Sequence, residues 1–198
     1  MLVKNIFLLM LSVLIASCAN TSITQSWVDT DLSKTYKKPM IIGISDSQQT
    51  RRIYENHVVS ALKEKHVTAI PSFTLINSKQ KMNRETVINT IKGTDIDSVL
   101  VTYLVSADTE MKHRESPLNT GYSGNVSDNQ VSATIITNRG RYSTEETITL
   151  KNDLYDASSK SIVWSIQTKS ASVNSIDEVV TDVTSLLVEQ LFNDNIFE

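Results

Sequence analysis

The chain has 198 residues, 40% of them hydrophobic and 21% charged, with 19 basic against 22 acidic side chains and a net charge of −3. An apolar fraction of that size excludes a chain too polar to build a core. The near-neutral balance, without a basic block, offers nothing to nucleic acid. One cysteine among 198 residues excludes an internal disulfide.

Residues 1–17 carry a single charge, Lys4, and Ile6 to Ala16 is apolar apart from Ser12. That run is short of the ~20 residues that cross ~30 Å of hydrocarbon. A charged start, a short apolar centre and small residues at its end are the parts of a secretory signal peptide. The run ends Ile15-Ala16-Ser17-Cys18, which resembles a bacterial lipobox. The resemblance implies that Cys18 receives a diacylglyceryl group, that residues 1–17 are removed, and that the new amino group takes a further chain of the palmitate class. Two or more acyl chains give stable anchoring at ~0.8 kcal/mol per buried CH₂. Loss of Lys4 leaves 18 basic against 22 acidic residues, and loss of Cys18 from the count leaves the domain without a free thiol. By the same resemblance Ala19, in place of an aspartate, favours the outer membrane.

Residues 18–38 are polar apart from Trp27 and read as a lipid-anchored tether of roughly 25 Å. Trp27 either packs on the domain or sits at the membrane interface. Residues 39–198 read as one domain. Pro39 to Ser45 is a short aliphatic run, a buried strand. Ile53, Tyr54, Val58, Ala61 and Leu62 recur at helical spacing through a helix of about four turns. A second strand is expected over Val67 to Ile70, ended by Pro71. A helix follows Asn83 as N-cap and stops at Gly93, and a β-branched strand runs from Asp97 to Ala107. His113 to Gln130 lacks periodicity and reads as a long loop, a length that belongs either to function or to disorder. "VSATIIT" reads as a strand and Asn138 to Arg141 as a turn. "EETITLKNDLYD" and "SIVWSIQT" then alternate as an antiparallel hairpin. Last comes a helix opened by the capping box Ser175 to Glu178, with Ile176, Val179, Val180, Val183, Leu186, Leu187 and Leu191 as its stripe. The fold class is α/β: a mixed sheet, a parallel βαβαβ start, antiparallel strands, and a C-terminal helix packed on the sheet.

Arg51-Arg52 with Glu55, Ala69-Ile70-Pro71-Ser72, Asp97 to Tyr103 and Leu154 to Ser165 resemble the motifs of a group of Gram-negative envelope lipoproteins with a lipobox and a small α/β domain. More remotely, the layout is similar to the penicillin-binding-protein activator lipoproteins and the amino-terminal domain of TolB. These resemblances imply a protein-binding module of the cell envelope. The long proline-rich tether of the activators is missing here.

No catalytic constellation emerges. His57 and His66 stand nine apart, about two and a half helical turns, on opposite sides. His113 with Glu115 makes too small a set for a metal. "GYSG" at Gly121 to Gly124 lacks the spacing of a nucleophile elbow, and the first strand-to-helix junction, "SDSQQT", lacks the glycines of a phosphate loop. Asp95 and Asp97 read as turn residues at a strand entrance. No cofactor and no metal is expected. Tyr122, Tyr142, Arg51 and Arg52 are the candidate partner contacts, the tyrosines as interface anchors, the arginines alternatively as surface ion pairs with Glu55. The expectation is a non-enzymatic, outer-membrane-anchored periplasmic lipoprotein, held by acyl chains on Cys18, that binds another envelope protein. The alternatives are an auxiliary subunit of an envelope export or transport assembly, and a hydrolase or ligand-binding protein. A polar pocket at the carboxyl ends of the parallel strands would favour the last; an apolar surface patch would favour the first two.

Overall fold

The structure, a computed structural model, describes residues 20–77, 80–114, 124–127, 130–133, 141–173 and 175–197, with backbone alone in those that fall between 110 and 145. In chain order the elements are β1 (Thr21–Val28), β2 (Pro39–Gly43), α1 (Gln48–Glu64), β3 (Ile70–Pro71), a 3-10 turn (Ser72–Thr74), α2 (Arg84–Ile91), β4 (Ser98–Arg114), β5 (Gly124–Ser127), β6 (Gln130–Ala133), β7 (Arg141–Asp156), β8 (Ile162–Ala171) and α3 (Ile176–Asn193). Six strands form one sheet in the order β1-β8-β7-β4-β2-β3, and β5 pairs with β6 apart from it. β2 runs parallel to both β3 and β4; β4, β7, β8 and β1 are successively antiparallel. This is the mixed α/β sheet that the order of periodicities predicts.

The alternation along the strands sorts two apolar faces. One carries Ile41, Leu100, Leu154, Trp164 and Ile166 and is covered by Tyr54, Val58 and Leu62 of α1 and Val180, Leu187, Val188 and Leu191 of α3. The other carries Met40, Ile42 and Val99, packed with Ile76 and Ile96. Among the described residues its only helix is α2, in which no residue is buried. Each helix starts where a polar side chain satisfies a free N–H: Ser47 Oγ accepts from Thr50, Asn83 Oδ1 from Thr86 and Ser175 Oγ from Glu178. Gly93, with φ of 79°, turns the chain out of α2. Gly43 lets α1 approach β2, since a Cβ there would come within 2.9 Å of the Tyr54 ring. Among the described residues no helix is long and apolar enough to cross a membrane.

Four expectations need correction. The stretch read as a tether contains β1, which pairs with β8 from Thr21 to Val28. Its polar composition hid it because an edge strand has one neighbour and shows half its side chains to water; Ile23, Val28 and Leu32 pack on the core, and Tyr36 is fully buried. The second strand is shorter and later than expected, Ile70–Pro71, with Pro71 tolerated at the sheet edge. His66 lies beyond α1, in a left-handed turn at φ 68°. The strand expected to end at Ala107 continues to Arg114 because β7 pairs with it row by row to Arg141, so the expected loop begins in a ribbon and also contains β5. Of "VSATIIT", Val131 to Ala133 lie in β6; its remainder and most of the expected turn, residues 134–140, lie outside the described residues.

Candidate functional site

At the carboxyl end of β2 the chain passes through Ile44 to Ser47 into α1. α3 starts at the same end of the sheet, because β8 runs towards it. Between the two helix starts lies a cleft of about 560 Å³, bounded by Gly43, Ile44, Leu104, Ile148, Leu150 and Ile176 among others. Ile44, Leu104 and Ile176 are roughly half exposed, at 47%, 54% and 57%. The cleft is therefore apolar along its β4 and α3 sides, with the exposed Ser45, Asp46 and Ser47 at the start of α1 and the buried Tyr54 and Thr102 beneath. The Tyr54 hydroxyl lies 2.5 Å from Thr102 Oγ1, which donates to Asn152 Oδ1 at 2.7 Å. Burial pushes the Tyr54 hydroxyl well above its ordinary pKa, so it stays protonated and acts as a donor, not as a base.

Beside the cleft, Glu55 is fully buried and its carboxylate is saturated. Oε1 accepts from Arg51 Nε at 2.9 Å, Ser72 Oγ at 2.6 Å and the Gly43 N–H at 3.1 Å. Oε2 accepts from the Phe73 N–H at 3.0 Å. Arg51 also donates to Ser72 Oγ at 2.7 Å. This network ties α1 to β2 and to the turn after β3. The candidate contact Arg51 is thus an interior residue, only 5% exposed; its partners occupy it from both sides. Arg52 remains at the surface, its guanidinium 5.4 Å from the centre of the Phe73 ring.

Cys18 and Tyr122 lie outside the described residues, and so does the side chain of Tyr142, whose backbone pairs with that of His113 in the ribbon. His57 lies at a shallow groove between α1 and α3, away from His66. Asp97 accepts from the N–H groups of Lys37 and Lys38 and from the Ser98 hydroxyl. Asp95 pairs with Lys38, which lowers its pKa. The two carboxylates therefore organise a strand entrance. Among the described residues no three His, Cys, Asp or Glu side chains are grouped to hold a metal.

Two further features escaped the sequence. A cavity of about 270 Å³ lies under α2, lined mainly by Ile42, Val87, Ile91, Val99 and Tyr155. On the same face of the sheet Asp153 is buried, accepting from Tyr103 at 3.0 Å and Ser165 at 2.6 Å, with Lys151 at 3.3 Å. Its bond to Tyr103, followed by the charge of Asp153, raises the pKa of Lys151 against the effect of burial.

The fold and the cleft define a six-stranded mixed sheet with two helices on one face and a cleft of mixed lining at the carboxyl end of its parallel strands. No family model matches this chain, and no curated protein does. Among solved structures it is similar to PelC, a dodecamer from Paraburkholderia phytofirmans, at 11% identity over 86% of this chain and 96% of that one, with a TM-score of 0.48. It is similar to lipoprotein GNA1162 from Neisseria meningitidis at 13% identity over 79% of this chain and 99% of that one, with a TM-score of 0.41. A PDZ domain protein from Parabacteroides distasonis matches at 11% identity and a TM-score of 0.41, over 86% of this chain but 36% of that one.

Proposed function

We propose that the mature chain is a lipoprotein of the outer membrane, anchored through acyl chains on Cys18, whose periplasmic domain binds another envelope protein without catalysing a reaction. Attachment is supported by the signal segment and by Ile15-Ala16-Ser17-Cys18. The observation that carries the binding reading is the ribbon formed by β4 and β7. Past Thr102 the strand β4 loses β2 as a neighbour, and before Thr147 the strand β7 loses β8. Both outer edges are then without a partner strand among the described residues for six paired rows, Thr109↔Glu146 to Arg114↔Arg141. Unpaired strand edges recruit a further strand, and a two-stranded ribbon is marginal by itself in water. The apolar side of the cleft, with Ile44, Leu104 and Ile176 half exposed, adds a surface for a partner.

A second reading is favoured by the same edges: another copy of this chain supplies the partner strand, and the protein is a repeated subunit of an envelope assembly. One experiment separates the two. A photocrosslinking residue at Thr109, in the exposed ribbon, is activated in intact cells, with Cys18→Ala as a parallel variant. A heterologous adduct supports the first reading and a dimer of this chain the second. Cys18→Ala should remain unlabelled by palmitate and leave the membrane fraction; a labelled, normally matured variant removes the lipoprotein reading.

A further inference from the structure

We propose that the end of the domain holding Thr21 lies against the bilayer, with Leu104, Val105 and Ile176 as its contact. The inference rests on acylation of Cys18 and extends that reading from attachment to orientation.

Strand directions place the anchor. Thr21 pairs with Ser170, Ser170 with Ile148 and Ile148 with Ala107, one row across four strands. The start of α3 and the departing ribbon belong to this end, whereas β2 stops short of it, Gly43 being level with Thr102, Asn152, Ile166 and Ser26. Cys18 precedes Thr21 by three positions, a reach of at most about 10 Å. The ribbon runs seven rows beyond Ala107, about 20 Å at the rise of a strand. A domain held so closely by its end, with a ribbon longer than its leash, cannot stand clear of the surface that holds it.

The exposed apolar side chains occur where this contact would form. Among the described residues six large hydrophobic side chains are exposed, and three of them, Leu104, Val105 and Ile176, lie towards this end; such clustering marks an interaction surface. Trp27 is another, but it stands at the opposite end of β1, about 20 Å away along the strand, which argues against the interfacial role open to it on sequence alone. Asp108 and Asp177 are exposed at the anchored end together with Lys169, so the contact rests on apolar side chains and not on a basic patch. Weak contacts suffice, because a short leash makes the encounter intramolecular. The ribbon is then presented at membrane level, to a partner in or on the same bilayer.

Cys18 is the only cysteine, so in the acylated protein an introduced thiol is labelled alone. Mature protein extracted from membranes and carrying Ile176→Cys or, separately, Trp27→Cys is coupled to an environment-sensitive fluorophore and reconstituted into phosphatidylcholine–phosphatidylethanolamine vesicles. The label at 176 should shift to shorter wavelength and be quenched by nitroxide lipid, while the label at 27 should be quenched by aqueous iodide. The same result is expected at high salt. The reverse pattern, or both labels in water on a chain whose amino-terminal fragment has the acylated mass, overturns the orientation. A fragment without acyl mass removes the lipoprotein reading itself, and this proposal with it. Both sites are exposed, so neither substitution disturbs the core.

Discussion

The Tyr36 hydroxyl donates to Oδ2 of Asp156 at 3.0 Å, across 120 positions of sequence. The bond joins the segment after β1 to the last residue of β7, and Lys34 adds an ion pair to the same oxygen. Oδ1 of Asp156 meanwhile accepts from the N–H groups of Ser158 and Ser159, closing the turn into β8. Burial and the carboxylate beside it push the Tyr36 hydroxyl well above its ordinary pKa, keeping it a donor throughout the physiological range.

Asp156 should make folding sensitive to acid. Burial alone would raise its pKa, but Lys34, the Ser159 N–H and Tyr36 together hold it at about 2, against 3.8 unperturbed. A folded-state pKa below the unfolded one stabilises above the unfolded value, and the contribution is lost as pH falls from near 4 towards 2. Discounted for the exposed lysine, it is about 1–2 kcal/mol. Asp156→Asn should therefore lower stability at neutral pH, and its difference from the parent protein should shrink below pH 4. Urea denaturation at several pH values measures this; a difference independent of pH would rule out the carboxylate charge as its source.

The Glu55 network predicts a larger loss. Arg51→Ala leaves a buried carboxylate without its cation, a change costing about 3–5 kcal/mol in such settings. Arg52→Ala, one position on and exposed, should stay within about 0.5 kcal/mol. Equal denaturation midpoints for the two variants would contradict the burial of Arg51.

Sequence made some of this legible and hid the rest for physical reasons. α1, α3 and the β7–β8 hairpin could be read because each buries one face, and burial imposes its period on the residues. β1 could not: as an edge strand with a bulge between Ile23 and Gln25, it has little reason to alternate. Arg51 and Glu55 show the usual spacing of a surface pair. What buries them is the turn at Ser72 and Phe73, some twenty residues on, which no local pattern announces. The apolar side of the cleft was hidden in the same way. Leu104 and Val105 belong to the β-branched run read as one strand, but the bulge between Leu104 and Ser106 and the loss of β2 as a neighbour leave them open. Ile176 reads as the first residue of the α3 stripe, yet it precedes the point where the helix reaches the sheet.

That last distinction can be measured within one helix. Leu187 is fully buried in the core while Ile176 is 57% exposed. Leu187→Ala should cost about 2–5 kcal/mol, and Ile176→Ala no more than about 0.5 kcal/mol. Thermal or urea unfolding of the two variants decides it; comparable losses would place Ile176 in the core and take it out of the proposed membrane contact.

The final prediction concerns where the folded unit begins. If residues 18–38 were only a leash, a chain starting at Pro39 would be as stable as one starting at Asn20. The structure says otherwise. Removing this segment strips β1 from β8 and opens the backbone edge beside Trp164, a fully buried residue whose Nε1 donates to Asp194. It also removes Tyr36, which is buried and whose N–H donates to the Ile196 carbonyl at 2.9 Å, pinning the chain end after α3. Loss of one large core side chain alone costs about 3–5 kcal/mol, and a bared interior strand invites pairing with other copies. The chain starting at Pro39 should unfold at markedly lower urea than the chain starting at Asn20 and should scatter light as it does so. Coincident unfolding curves would return β1 to the tether and free the domain from the bilayer.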